Sequence, residues 1–135
     1  HYNPPKELTY EEASQQSNPY KVSVLGPGKV LVTPGTTAIY PFIVNNLGDN
    51  SDTYMVSVSS SQGWADLSGV PNSINLASGE HREIPIRVTV SQGVETNIID
   101  ELKLIVRSQG GSGVFDVATA QTGLSKSIYL PLIRK

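Results

Sequence analysis

The stretch TTAIYPFIVNN at residues 36–46 constrains the fold of this chain more than any other segment. Tyr40, Phe42 and Val44 share one face of an extended chain, and the residues between them are also largely apolar. Alternation with a period of two is typical of a strand, and apolar residues on both faces indicate an inner strand of a packed sheet. The stretch contains no catalytic motif.

Short apolar runs separated by turn residues continue along the chain. Gly, Pro, Asn, Asp and Ser bound the runs, no helical pattern separates them, and GPG at 26–28 is predicted to turn the chain. Runs at intervals of roughly 8 to 12 residues are typical of an all-β fold, an antiparallel sandwich of two sheets with about seven to nine strands. We predict nine strands, at about 20–25, 29–33, 37–46, 53–60, 73–77, 82–91, 101–109, 114–122 and 126–133.

The same period predicts which side chains face the space between the sheets. Trp64, directly after a strand, is expected to cap this core. Pro85 has no backbone donor, so its strand is predicted to be an edge or to bulge there, and Pro41 carries the same indication more weakly. The residues predicted to face the interior are Tyr40, Phe42, Val44, Tyr54, Val56, Val58, Ile84, Ile86, Val88, Leu102, Leu104 and Val106.

Composition divides the chain into two parts. Residues 1–19 are polar and nearly lack β-branched residues, so we interpret them as an N-terminal linker or tail. Thr9 and Glu12 have capping-box spacing, which is compatible with one or two helical turns at residues 9–16. Residues 20–135 carry the strand pattern and form the predicted sandwich domain.

Charge and composition argue against several classes of function. The 135 residues are 38% apolar and 16% charged, and a net charge of −2 without a basic stripe argues against a nucleic-acid partner. The absence of cysteine removes disulfides and cysteine-based metal sites. No apolar run reaches the roughly 18 residues that a membrane span requires. No cofactor is predicted.

The sequence shows no pattern of a catalytic centre, so we predict no catalytic residues and no enzyme activity. His1 is terminal and His81 lies in a predicted turn, and a catalytic serine would also need an orienting acid and an oxyanion hole. The segment QGGSGV at 109–114 is predicted to be a flexible hairpin loop. Asp100 and Glu101 are neighbours on a strand and point to opposite faces, which places them poorly as an acid–base pair.

A polar loop at residues 45–53, NNLGDNSDT, has the composition of a calcium site. Asp49 and Asp52 are the candidate metal ligands, and Asn46 and Asn50 add amide oxygens. The spacing does not match the EF-hand loop. Asn and Asp side chains in turns also hydrogen-bond their own backbone, so a calcium site and a self-bonded turn are both open interpretations.

Aromatic side chains are the candidate residues for a sugar-binding surface. Trp64 would serve as its platform only if exposed, whereas a lone Trp in a sandwich usually fills the core. Tyr2, Tyr10 and Tyr20 lie in or beside the tail, where they are available to a partner.

Several motifs occur in a fixed order over roughly residues 22–123: V-x-P-G-T-x-x-x-Y-x-F-x-V-x-N-x-G, D-T-Y-x-V-x-V, G-W and I-x-L-x-x-G-E. This order resembles the immunoglobulin-like β-sandwich repeats of bacterial and archaeal surface and secreted proteins, including adhesion-related bacterial repeats and NEW3-like domains. The resemblance implies that these residues build the sandwich and that any catalysis resides in another domain. The ending IYLPLIRK resembles the C-termini of some secreted bacterial proteins, which implies that Lys135 is a true terminus.

The expected function is that of a non-catalytic spacer, stalk or adhesion module in an extracytoplasmic bacterial protein, located outside the cell or at its surface. Its expected partners are neighbouring domains of the same polypeptide, surface proteins or polysaccharide. The alternative is a carbohydrate-binding or substrate-targeting domain of a secreted hydrolase. An exposed Trp64 would favour the alternative, and a buried Trp64 would count against it.

Overall fold

The computed structural model describes residues 18–125, which form nine strands. The predicted helical turns at residues 9–16 and the predicted strand at 126–133 lie outside this range. In the described part of the chain no helix is long and apolar enough to cross a membrane. The strands are β1 (Val22–Leu25), β2 (Gly28–Val32), β3 (Thr37–Asn46), β4 (Asp52–Ser60), β5 (Ala65–Asp66), β6 (Ser73–Leu76), β7 (His81–Thr89), β8 (Asp100–Ser108) and β9 (Phe115–Leu124).

Two sheets form the sandwich that the sequence predicts. One sheet has the strand order β1-β3-β7-β5 and the other the order β2-β9-β8-β4-β6. Among the described strands, every pairing is antiparallel except the parallel pairing between β2 and β9. The all-β prediction is confirmed, with this one parallel pair added and with the two-residue strand β5, which the pattern did not predict.

The parallel pair arises because the chain changes sheets between β1 and β2 without reversing. Val22 to Leu25 pair with β3 in the first sheet, and after only two residues, Gly26 and Pro27, the chain pairs with β9 in the second sheet. A Cβ at Gly26 would lie 2.8 Å from Cε2 of Phe42, so the crossing requires glycine. GPG therefore marks a crossing between sheets, and the predicted turn there is wrong.

The apolar core lies between the sheets, as predicted. Val56 and Val58 are only half-buried, because the facing sheet ends on their side in the short β5. Trp64 is half-buried and packs against the core, which confirms its capping role. The other ten residues predicted to face the interior are buried: Tyr40, Phe42, Val44, Tyr54, Ile84, Ile86, Val88, Leu102, Leu104 and Val106.

The two strand prolines lie opposite each other, at places where their strands have a free side. Pro41 in β3 is paired with Pro85 in β7. β5 reaches only Arg87 and Val88 of β7, so no strand of the described residues pairs with the far side of β7 at Pro85. The predicted edge at Pro85 is confirmed. Proline is tolerated here because no hydrogen-bond donor is needed.

The outer face of β3 is open to solvent, although β3 is an inner strand of its sheet. β1 and β7 flank it, which confirms the predicted inner position of this strand. No other layer of residues 18–125 covers its second apolar face, and Ile39 on that face is 60% exposed. The apolar residues of the strand therefore form one buried face and one exposed apolar stripe.

The described chain enters at one end of the sandwich and leaves at the other. At the end that we call the upper end, Asn18 N donates to Asp49 Oδ2 at 3.0 Å, and Asp49 N donates to Asn18 O at 3.0 Å. At the lower end, Ser125 N donates to Val32 O at 3.0 Å. The ten residues of β9 span the distance between these ends, about 30 Å for an extended strand.

Candidate functional site

Three chain segments meet at the upper end and form the candidate site, which we call the upper loop cluster. They are residues 18–21, the β3–β4 loop with its flanking residues 46–53, and the β8–β9 loop with its flanking residues 108–114. Leu47 N donates to Lys21 O at 2.9 Å, which joins the first two segments. Asn18 and Pro19, which the composition assigns to the tail, are hydrogen-bonded to this cluster.

Asn46 organises the β3–β4 loop from inside the protein. Its side chain is fully buried. Nδ2 donates to the carbonyl oxygens of Asn50 at 2.9 Å and Leu76 at 3.0 Å, and Oδ1 accepts from Gly48 N at 2.9 Å. All of its polar atoms are thus used by backbone, which is the self-bonded turn that the sequence left open.

Asp52 fastens the β8–β9 loop to the start of β4. Its side chain is 6% exposed. Oδ1 accepts from Gly110 N at 3.0 Å, and Oδ2 accepts from the Ser108 hydroxyl. Thr53 N also donates to Oδ1, at 2.8 Å. The carboxylate therefore holds the predicted hairpin loop 109–114 in a defined position.

Asp100, the first residue of β8, holds the loop that follows β4 at the lower end. Oδ1 accepts from the Ser60 hydroxyl at 2.8 Å and from Gln62 N at 2.6 Å. Asp100 is fully buried and Glu101 is exposed, as their predicted opposite orientation requires. Each of two neighbouring antiparallel strands thus begins with an aspartate that holds the loop following the other strand.

This reciprocal arrangement was not predicted, although the sequence carries a signal of it. β4 and β8 each begin with Asp and have Ser eight positions later, as Asp52 with Ser60 and Asp100 with Ser108. Because the strands are antiparallel and paired Ser60 to Leu102 and Tyr54 to Ser108, each serine comes to lie beside the other strand's aspartate.

Two buried tyrosines lie near the two aspartates. Burial raises the pKa of Tyr54 to about 12, and the charge of Asp52 adds to this effect. Burial also raises the pKa of Tyr40, partly opposed by a hydrogen bond to Thr122 and supported by Asp100. Both phenols therefore stay protonated at neutral pH and do not act as bases.

The two predicted metal ligands both contact backbone amides. Asp49 Oδ2 accepts from Asn18 N, and both oxygens of Asp52 accept hydrogen bonds. Within residues 18–125, no three His, Cys, Asp or Glu side chains are grouped so that they could hold a metal ion. Calcium binding at Asp49 and Asp52 stays a prediction.

An open cleft of about 420 Å³ lies beside the upper loop cluster. The Tyr20 ring forms one wall and packs against Gly110 and Gly111, where any side chain would collide with it. The cleft therefore combines an aromatic ring with hydroxyl, amide and carboxylate groups. Its lining residues are Tyr20, Ser51, Asp52, Thr53, Asn75, Gln109 and Gly110.

His81 and the loop 109–114 belong to different sheets. His81 is exposed at the start of β7, across from Asn45, whereas the loop 109–114 follows β8 in the other sheet. That loop is a hairpin connection, as predicted. The sequence did not indicate Tyr20, Asn75 or Gln109 as members of one cleft, because only the folded topology brings β4, β6 and the β8–β9 loop together.

Comparison with known proteins shows the fold and no closer relationship. Neither a family model nor a curated protein matches the sequence. The CARDB domain of the PF1109 protein from Pyrococcus furiosus superposes with a TM-score of 0.58 at 18% identity, over 87% of this chain and 99% of that domain. Alpha-2-macroglobulin from Escherichia coli gives 0.57 at 20% identity, over 81% of this chain and 17% of that chain. A FixG-related protein from Vibrio parahaemolyticus gives 0.54 at 12% identity, over 80% and 98%.

These likenesses place the chain in a class by its architecture. It has the immunoglobulin-like β-sandwich fold that the CARDB domain and macroglobulin domains share, which confirms the predicted fold class. The sequence identities are too low to carry function from these proteins to this chain.

Proposed function

We propose that this domain is a non-catalytic spacer, a stalk unit that sets the distance between its neighbours in an extracytoplasmic bacterial protein. The observation that carries this proposal is the position of the two attachment points. Asn18 is bonded at the upper end of the sandwich and Ser125 at the lower end. Neighbouring domains joined through these points are held about one strand length apart, roughly 30 Å.

The loops at both ends support this role, because a spacer must keep its ends in fixed orientation. Asp52 holds the upper β8–β9 loop and Asp100 the lower β4–β5 loop. A buried carboxylate that accepts several hydrogen bonds holds a loop firmly, because hydrogen bonds to an ionised group are stronger than neutral ones. The resemblance to adhesion-related bacterial repeats and NEW3-like domains supports a location at the cell surface or outside the cell.

We expect copies of the whole chain joined head to tail to form an extended particle. With three copies, small-angle X-ray scattering should show a maximum dimension that grows by about 30 Å or more for each copy added, since each sandwich contributes one strand length. A maximum dimension that barely increases from one copy to three would contradict the proposal, because it would mean that the copies fold back on one another.

A second function is favoured by the cleft at Tyr20: binding of polysaccharide. Trp64 packs against the core, so it is not the exposed platform that the alternative function required. Tyr20 is half-buried and packs against Gly110, while Ser51, Asn75 and Gln109 line the same cleft. An aromatic ring beside hydroxyl and amide groups matches the apolar faces and hydroxyl edges of a sugar.

We expect soluble xylan, mannan or hydroxyethylcellulose to retard the protein in affinity electrophoresis. Tyr20→Ala should weaken the retardation about ten-fold, and Tyr20→Phe should retain it, because the ring is kept. Phe115→Ala removes an exposed aromatic of β9 outside the cleft and serves as the control. No retardation by any of the three polysaccharides, or equal retardation of Tyr20→Ala, would rule out this cleft as their binding site.

Calcium binding at Asp49 and Asp52 is tested separately. The CARDB domain that shares this fold was solved in complex with di-metal ions. Calcium at 100 times its dissociation constant should stabilise the protein by about 2.7 kcal/mol, seen as a higher unfolding temperature. The increase should disappear in Asp49→Ala and persist in the control Asp66→Ala. An unchanged unfolding temperature of the parent protein at millimolar calcium would contradict the prediction.

A further inference from the structure

From the parallel pair β2–β9, we infer that the domain bears tension and that this pair is its mechanical clamp. The inference rests on the proposed spacer function, because tension reaches the domain only through neighbours attached at both ends. It adds a function that a spacer does not require: resistance to force along the chain.

The direction of the two strands determines how force reaches the ladder. Because β1 and β2 run from the upper end downward, a pull on the N-terminal side draws them upward along their own axis. β9 runs downward beside β2, and a pull on the C-terminal side draws it downward. The two strands are therefore pulled past each other along the direction in which they lie.

Force in this direction loads the bonds of the ladder together. The β2–β9 register extends from Gly28 opposite Ala120 to Val32 opposite Leu124. Ladder bonds lie across the strands, so sliding strains all of them at once, whereas separating two strands from one end breaks the bonds in sequence. Tension therefore acts on the strand pair in the direction in which its ladder resists the larger force.

Neighbouring contacts resist the same movement. Val24 N in β1 donates to Asp116 Oδ2 in β9 at 2.8 Å, which joins the first segment of the chain to the last strand. On its other side β9 is paired with β8 from Phe115 opposite Arg107 to Thr122 opposite Asp100. β9 must slide against both of its neighbours before the chain can extend.

Alternation along β2 provides a matched pair of variants. The carbonyl of Val32 accepts from Ser125 N, so Val32 and every second residue before it, including Val30, direct their backbone groups to β9. Leu31 directs its N–H to the free side of β2, which is an edge of its sheet among the described residues, and its side chain is 62% exposed. Proline removes a ladder donor at Val30 and none at Leu31.

The test is single-molecule force spectroscopy on the full chain, pulled through cysteines at Asn18→Cys and Ser125→Cys, which are unique because the chain has no other cysteine. Val30→Pro should reduce the unfolding force to roughly half that of the parent or less, and Leu31→Pro should retain most of it. Val30→Ala is the control for loss of the valine side chain, since it keeps the backbone donor. Equal forces for Val30→Pro and Leu31→Pro would overturn the clamp.

A second pulling direction tests the clamp without altering the ladder. Handles are coupled to Thr33→Cys and Ser125→Cys with both thiols kept reduced until coupling, since the two hydroxyls they replace are only 3.3 Å apart at the lower end. Pulling there separates β2 from β9 one bond at a time, so the first rupture should need roughly half the force of the Asn18–Ser125 direction or less. Equal force in both directions would overturn the clamp, yet it would leave the distance between the ends, and hence the spacer function, unaffected.

Discussion

Replacing Asn46 by Ala is expected to lower the free energy of unfolding by about 3 kcal/mol. The side chain is fully buried, and its removal leaves Gly48 N and the carbonyl oxygens of Asn50 and Leu76 without their partner. Buried backbone groups that lose a hydrogen bond each cost about 1–3 kcal/mol when nothing replaces it. Urea unfolding followed by far-ultraviolet circular dichroism measures the loss.

Asn45 provides the control for Asn46. It is the adjacent residue of β3, of the same type, and points to the outer face of its sheet. Asn45→Ala should cost less than about 0.5 kcal/mol, as for most surface substitutions. An Asn46→Ala variant that is no less stable than Asn45→Ala would show that the loop does not depend on the buried amide.

Replacing Asp52 by Ala is expected to cost about 2–3 kcal/mol and to release the β8–β9 loop. The carboxylate accepts from Gly110 N and from the Ser108 hydroxyl, and no other described side chain bonds to Gly110 N. Amide hydrogen exchange at Gly110 should accelerate, whereas exchange at Gln62, at the lower end, should not. Denaturant unfolding gives the energy, and exchange measured by NMR gives the location.

The reciprocal variant, Asp100→Ala, should produce the opposite pattern. Gln62 N loses its acceptor, so its exchange should accelerate while Gly110 stays protected. Asp52→Asn should cost less than Asp52→Ala, because its amide oxygen can still accept from backbone. If both alanine variants accelerated exchange at both ends equally, the aspartates would support the sandwich as a whole and would not hold separate loops.

Much of the sandwich could be predicted from the sequence because the side chains of a strand alternate between its two faces with a period of two residues. Alternation in TTAIYPFIVNN identified β3 and its buried face, Tyr40, Phe42 and Val44. The same pattern identified the core of β7 and β8. The pattern could not tell an outer face that contacts solvent from one that contacts a second layer, so the exposure of Ile39 became visible only in the folded protein.

The features that the sequence did not reveal depend on which strands become neighbours. Gly26 and Pro27 have the composition of a turn, yet they form a crossing between the sheets. Glycine is needed at position 26 because a Cβ there would meet the ring of Phe42. The loop contacts of Asp52 and Asp100 depend on the pairing of β4 with β8. The Tyr20 cleft depends on three segments that are far apart in the chain. Local pattern carries no information on such pairings.

The position of the two attachment points is the central claim, and the distance between them tests it most directly. Spin labels on Asn18→Cys and Ser125→Cys, measured by double electron–electron resonance, should give a single distribution centred at about 30–40 Å, one strand length plus the label arms. A distribution centred below about 20 Å would place both attachment points on the same end of the sandwich and would contradict the spacer function.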